Sequence, residues 1–345
     1  VLVSFTATAA EIIRPPSAAG PLYPADEKVL RETLQKCFDG AQGETPAARL
    51  LGCIAPHSGL GLSGPVAAQA FKELQPGQYD QVIILAASHF AQFQGCSIPA
   101  VQAFVTPLGL VMLDGPAIER LCYSPYISAQ ALHRTSREGR PLIHEQEYSV
   151  EVLLPFLQMR LGDFKLVPLL VGDMLDNNGK FSERILNVVA TAIRRIMGER
   201  TLLIASSDLT AFGDEFGFKP FKENPLAGVE RLDRDAMDLF LERDVTGFQT
   251  YLERTGNPIC GRQAIQVFLQ LLPPQARGSV LAYAQSGRLM NTEDRSIGFA
   301  AINFYDPSKP PLTSQPQTAS VSASAEPAAE TAPAPPAPDA GTPPK

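Results

Sequence analysis

The chain has 345 residues and a net charge of −7, with 45 % apolar and 19 % charged residues. That balance suits a folded core and excludes wholesale disorder, and the length allows one large domain or two ordinary ones. An acidic chain without a dense Lys/Arg cluster is a poor partner for nucleic acid or an anionic membrane surface, and no apolar run approaches the roughly 20 residues that span a bilayer.

Residues 1–13 read as an extension ahead of the fold. Their opening, VLVSFTATAA, resembles a short signal h-region but lacks the basic n-region of one, so secretion is not expected. From Arg14 onward, strands and helices alternate. Arg49–Ala55 (RLLGCIA), Gln81–Ala87 (QVIILAA), Lys165–Gly172 (KLVPLLVG) and Thr201–Ser206 (TLLIAS) are short apolar runs of the kind that suits strands covered on both faces. Helices are expected over Ser63–Leu74, Tyr148–Leu161, Phe181–Met197, Gly228–Glu242 and Gly261–Leu272. In the last of these Ile265, Phe268, Leu269 and Leu272 share one face. SVLAYA and SIGFAAINF add two further strands. The pattern predicts a layered α/β fold, a single domain over residues 14–306 with a central, largely buried sheet flanked by helices. From Pro307 to Lys345 the chain is Pro, Ala, Ser and Thr with almost no large apolar residue, and a disordered tail is expected.

Three apolar runs end in polar residues that a core would not choose. RLLGCIA runs into Pro56-His57-Ser58-Gly59, QVIILAA into Ser88-His89, and TLLIA into Ser206-Ser207-Asp208. In open α/β sheets the ligand crevice lies beyond the carboxyl ends of the strands, so these groups are expected to converge. Two histidines invite a third metal ligand, and Cys260 is the candidate. It lies just ahead of a helix and beside Arg262, and both features favour a thiolate. A lone cysteine at a helix start is more often a small apolar residue there, and the residues alone leave both readings open. His133 and His144 lie in a polar stretch that suits surface or supporting roles. The remaining cysteines (Cys37, Cys53, Cys96 and Cys122) adjoin apolar segments and read as inert core thiols. Five scattered cysteines without a CxxC pair point to reduced thiols and a cytoplasmic setting.

Taken in order, the motifs form a recognisable series. Arg14-(x)5-Gly20-(x)2-Tyr23-Pro24, Ala55-Pro56-His57-Ser58-Gly59, Ser88-His89 and Thr106-Pro107-Leu108-Gly109 come first. Glu147-x-Ser149-x-Glu151-(x)3-Pro155-Phe156, Ser206-Ser207-Asp208 and Ile259-Cys260-Gly261-Arg262 follow. The series resembles the Memo family, whose bacterial and archaeal members are called AmmeMemoRadiSam system protein B. This resemblance implies a fold similar to class III extradiol dioxygenases, and a metal pocket in which His57, His89 and Cys260 match the family's two histidines and one cysteine. Iron or copper is the implied metal, in line with the softness of the donors. Ser58, Ser88, Tyr148, Asp208 and Arg262 are expected around the cleft. Radical SAM and AmmeMemoRadiSam-associated proteins are implied as partners.

The departures bear on chemistry. Tyr148, Ala211 and Gln263 stand where family members usually carry histidine, and the Ala211 position resembles that of the acid/base histidine in ring-opening dioxygenases. Two functions follow: metal-dependent redox or oxygen-related activity on a small molecule, or a non-catalytic module, with or without a metal, that binds a peptide or small ligand in the same cleft. A hydrolase built on Ser58, Ser88 or Ser207 is the weaker alternative, because no G-x-S-x-G elbow accompanies these serines.

Overall fold

The computed structural model describes residues 13–43, 46–129 and 143–315. Its first strand, β1 (Ile13–Arg14), pairs in parallel with β5 (Ala103–Thr106), and β5 forms a hairpin with β6 (Gly109–Met112). Ile13 therefore belongs to the fold, not to the extension ahead of it.

The large sheet takes its centre from the four apolar runs. These are β2 (Arg49–Ala55), β3 (Gln81–Ala87), β8 (Lys165–Val171) and β9 (Thr201–Ser206), side by side and parallel in the order β2-β9-β3-β8. Short strands β4 (Cys96–Ser97) and β7 (Ile127–Ser128) extend it beyond β8. On the β2 side, β12 (Ser296–Asp306) runs antiparallel and is joined by β10 (Ala211–Phe212) and β11 (Arg277–Gln285). Among the described residues no closed barrel forms.

Helices cover both faces, which explains the unbroken apolar runs. Val82, Ile84 and Ala86 of β3 face one cluster, which holds Leu30 and Leu34 of α1 (Glu27–Asp39), α2 (Leu60–Phe71) and α5 (Leu154–Leu161). Ile83 and Leu85 face the other, with α6 (Glu183–Arg194), α7 (Pro225–Glu242), α8 (Val245–Thr255) and α9 (Arg262–Leu271). Period-two alternation thus feeds two cores from one strand. Among the described residues three short helices complete the set: α3 (Gly115–Leu121), α4 (Ile143–Gln146) and α10 (Ser286–Leu289). Among the described residues no helix is long and apolar enough to cross a membrane.

The structure corrects several expectations. The helix read as starting at Tyr148 begins only with a 3-10 turn at Glu151, since the Tyr148 and Ser149 amides donate to the Glu147 carboxylate instead. Cys122 is exposed, unlike the other three cysteines read as core thiols. The tail starts later than its composition suggests. Arg49 N–H donates to Lys309 O (2.9 Å), Gln315 N–H donates to Gly77 O (3.0 Å), and Leu312 packs on the core. A few backbone bonds and one leucine are enough to seat residues 307–315. Residues 316–345 and His133 lie outside the described residues.

Candidate metal centre

β9 lies between β2 and β3, so the residues that follow these three neighbouring strands meet at one edge of the sheet. His57 follows β2, His89 follows β3, and Ser206 ends β9, with Asp208 two residues on. Cys260 reaches the same place from the loop before α9, a helix packed over β3 and β9. A nitrogen of His57, a nitrogen of His89 and the Cys260 sulfur all lie within 4.8 Å of one another.

Each imidazole is fixed from behind. Ser206 has one hydroxyl proton and donates it to the Ser149 carbonyl (2.5 Å), so toward His57 its oxygen accepts. His57 Nδ1 is then the protonated nitrogen (2.8 Å to Ser206 Oγ), and Nε2 faces Cys260 Sγ at 3.4 Å. His89 Nδ1 donates to Glu147 Oε1 (2.8 Å), which turns its Nε2 forward as well. Metal-binding histidines are oriented in this way, with one nitrogen spent on a protein acceptor and the other left for the ion.

Electrostatics favour a thiolate. Burial raises the Cys260 thiol, but the charge and hydrogen bonds of His57 and His89 outweigh it and bring it down to about 6. Conversely, burial lowers His89, while hydrogen bonds with Cys260 and Glu147 carry it up to about 10. His57 also moves up: burial opposes the shift, and the negative charges of Cys260 and Asp208 drive it. Arg262 has no comparable part. Its guanidinium turns to the Ile259 carbonyl (3.4 Å), and the two histidines are the leading groups that lower the thiol.

The remaining expected residues divide between those that touch the cluster and those that support it. Asp208 accepts the His57 amide (3.0 Å) and the Ser58 hydroxyl (2.5 Å), bracing the loop after β2. Tyr148 stacks flat on His89, with ring centroids 4.7 Å apart and planes 9° apart. Burial first, and then the charges of Cys260, Glu147 and Asp208, hold its hydroxyl above the ordinary range. Ser88 turns away to the Ala91 carbonyl (2.7 Å). Gln263 donates to Asp173 (2.9 Å), and Ala211 opens β10.

Sequence reasoning quoted Arg14, Glu147, Ser149 and Glu151 without seeing their purpose. Arg14 is buried and donates to Glu151 (2.5 Å), to the carbonyls of Glu147 (2.7 Å) and His144, and to Ser17 (2.9 Å). Glu151 also takes the amides of Ser17 and Ala18 and the Tyr23 hydroxyl. This network clamps the Arg14–Tyr23 segment onto the backbone that carries Glu147. His144 is buried, its Nε2 paired with Ser97 Oγ (2.9 Å), in a supporting position away from the cluster. The motif Glu147-x-Ser149-x-Glu151, two acids in a segment that runs into the apolar Leu153-Leu154-Pro155-Phe156, was the available signal.

Comparison with known proteins agrees with this architecture. The family described as Memo-like protein matches residues 14–303. Protein memo-1 homolog of Caenorhabditis elegans is 29 % identical over 311 residues, covering 86 % of this chain and 84 % of its own. Protein MEMO1 of Homo sapiens is 27 % identical over 303 residues (84 % and 96 %), and MEMO1 family protein of Methanosarcina mazei 29 % over 293 residues (84 % and 98 %). The match runs from the clamp at Arg14 almost to the end of β12, and on that ground the chain belongs to the Memo family.

Proposed function

We propose that His57, His89 and Cys260 bind a redox-active transition metal, iron or copper, and that the protein carries out redox or oxygen-related chemistry on a small molecule in the cleft above them. The observation that carries this reading is the convergence of two imidazoles and a thiol within 4.8 Å, with each imidazole held through its other nitrogen. One thiolate with two imidazoles is a donor set for copper, iron or zinc, and poorly suited to magnesium or calcium. Three protein ligands leave a position open, and a bound ion would supply a centre for electron transfer or oxygen binding there.

The chain's own residues then have defined tasks. Glu147 and Ser206 hold the imidazoles, and Asp208 fixes the His57 loop. Tyr148 forms a flat wall beside His89. A second reading, a non-catalytic module that binds a peptide or small ligand, is favoured by Ala211 and by Gln263, whose amide is engaged by Asp173. Metal analysis of protein purified under reducing conditions tests the first reading. About one equivalent of iron or copper is expected in the native protein and a large loss in C260A, since the thiolate is the softest donor. Unchanged metal content in C260A overturns the site.

A further inference from the structure

His57 and His89 follow strands of the sheet, but Cys260 rides on a loop with no strand of its own. Its position relative to His57 comes from the packing of α9 and from cross-links to the segment after β9. The Cys260 sulfur itself makes long contacts with Ser207 Oγ (3.9 Å) and the Asp208 carbonyl (3.8 Å), and two shorter bonds flank it. Gly261 N–H donates to Ser207 Oγ (3.0 Å), and a side chain on Gly261 would meet Ser207 Cβ at 2.4 Å, so the loop approaches as closely as glycine permits. The second is Asn257 Nδ2 donating to Thr210 Oγ1 (2.7 Å).

Thr210 is itself held on every side. Its amide donates to Asp233 Oδ1 (2.9 Å), and its carbonyl accepts from Gly298 of β12 (3.0 Å). Asp233 Oδ2 takes the Tyr283 hydroxyl (2.7 Å), and no Lys or Arg pairs with this carboxylate among the described residues. β12 admits the carboxylate because residue 298 is glycine: a Cβ there would sit 2.0 Å from Asp233 Oδ2. Asn257 has a second anchor in the Tyr251 hydroxyl (2.8 Å), which donates to the Leu232 carbonyl (2.9 Å). Leu232 and Asp233 are neighbours on α7, so one turn of that helix supports both ends of the Asn257–Thr210 bond. All three polar residues, Thr210, Asp233 and Asn257, are buried.

We infer that Thr210 is a positioning residue, whose bond to Asn257 sets Cys260 at its distance from His57. The inference rests on the metal reading above. An apolar contact would bury the same surface without fixing the loop, whereas a hydrogen bond between two anchored groups fixes direction as well as distance. Partners that orient a metal ligand through hydrogen bonds are typically worth about 10–100-fold in metal affinity.

The test is titration of the full chain with cobalt(II) under reducing conditions, following the thiolate-to-cobalt charge-transfer absorption. T210V keeps the shape and removes the hydroxyl, and T210S restores it. T210V is expected to bind about ten-fold or more weakly with a diminished thiolate band, and T210S to match the native protein. Y305F serves as control, since it removes a buried hydroxyl from Glu73 at the end of β2 opposite His57. It should cost stability and leave cobalt affinity unmoved. N257A breaks the same bond from the loop side and decides the matter should T210V not fold. Native affinity and band in T210V, or equal losses in T210V and T210S, overturn the role of Thr210 while leaving the metal site standing. No thiolate band in the native protein overturns both.

Discussion

Glu147 holds His89 at two points: Oε2 accepts the backbone amide at 2.7 Å and Oε1 accepts Nδ1 at 2.8 Å. Oε1 also accepts the amides of Tyr148 and Ser149, both at 3.0 Å. Burial would raise this carboxyl, but the bonds to His89 prevail and hold it down to about 2. A carboxyl depressed in the folded state stabilises the protein above its ordinary value of 4.5, and that contribution is lost as pH falls through 2. E147Q replaces an acceptor by an amide donor facing N–H groups. It should cost about 1–3 kcal/mol at neutral pH, the usual range for a buried group left unpaired. Denaturant unfolding from pH 6 to 2 should show the native protein losing its advantage over E147Q in the acid range. A constant gap across that range would remove Glu147 from the ionised state assigned to it.

Asp233 slopes the other way. Burial raises it to about 6 against the opposing hydrogen bonds of Thr210 and Tyr283. A raised carboxyl favours the fold below its ordinary value of 3.8, and that contribution disappears as pH climbs through 6. The stability of D233N relative to the native protein should therefore increase between pH 3.8 and 6. Parallel unfolding curves at the two ends of that interval would contradict the assignment.

Residues 307–315 contribute to stability although their composition suggests otherwise. A chain ending at Asp306 loses the Lys309 and Gln315 backbone bonds and the Leu312 contact, while a chain ending at Gln315 keeps them. At about 1 kcal/mol per hydrogen bond, the shorter chain should be less stable by on the order of 2 kcal/mol. Equal melting temperatures for the two truncations would show that the seated segment is idle.

On the metal reading, the iron-loaded protein should have no appreciable catechol ring-opening activity. Ala211 cannot move a proton, and Tyr148 is displaced further from neutrality by its burial. General acid–base groups typically contribute about 10²–10⁴-fold to rate, so turnover should be weak at best. Robust cleavage by the unmodified protein refutes this, and activity gained in A211H supports it.

The four central strands were legible because both of their faces are buried, which leaves an unbroken apolar run in the chain. Three of their bounds coincide with the structure, and β8 differs by one residue. Cys260 was a candidate from its place ahead of a helix, but only the family resemblance set it above a small apolar residue there, since the contacts that bring it to His57 join residues some fifty apart. α1 was overlooked although Asp26 caps it and Leu30, Leu34 and Cys37 line one face. The tasks of Ser206 and Glu147 could not be read at all. A serine at a strand end says nothing about which nitrogen of a distant histidine it holds.

β12 has a further consequence, for the nascent chain. Its partner β2 ends at Ala55, but β12 begins only at Ser296, some 240 residues later. At synthesis rates of about 5–20 residues per second, the edge of β2 waits roughly 12–48 s for its neighbour. Throughout that interval an apolar strand edge is open to other chains on the same messenger. The protein should thus be a demanding client of ribosome-associated chaperones, and truncation before Ser296 should give aggregates and no partly active fragment.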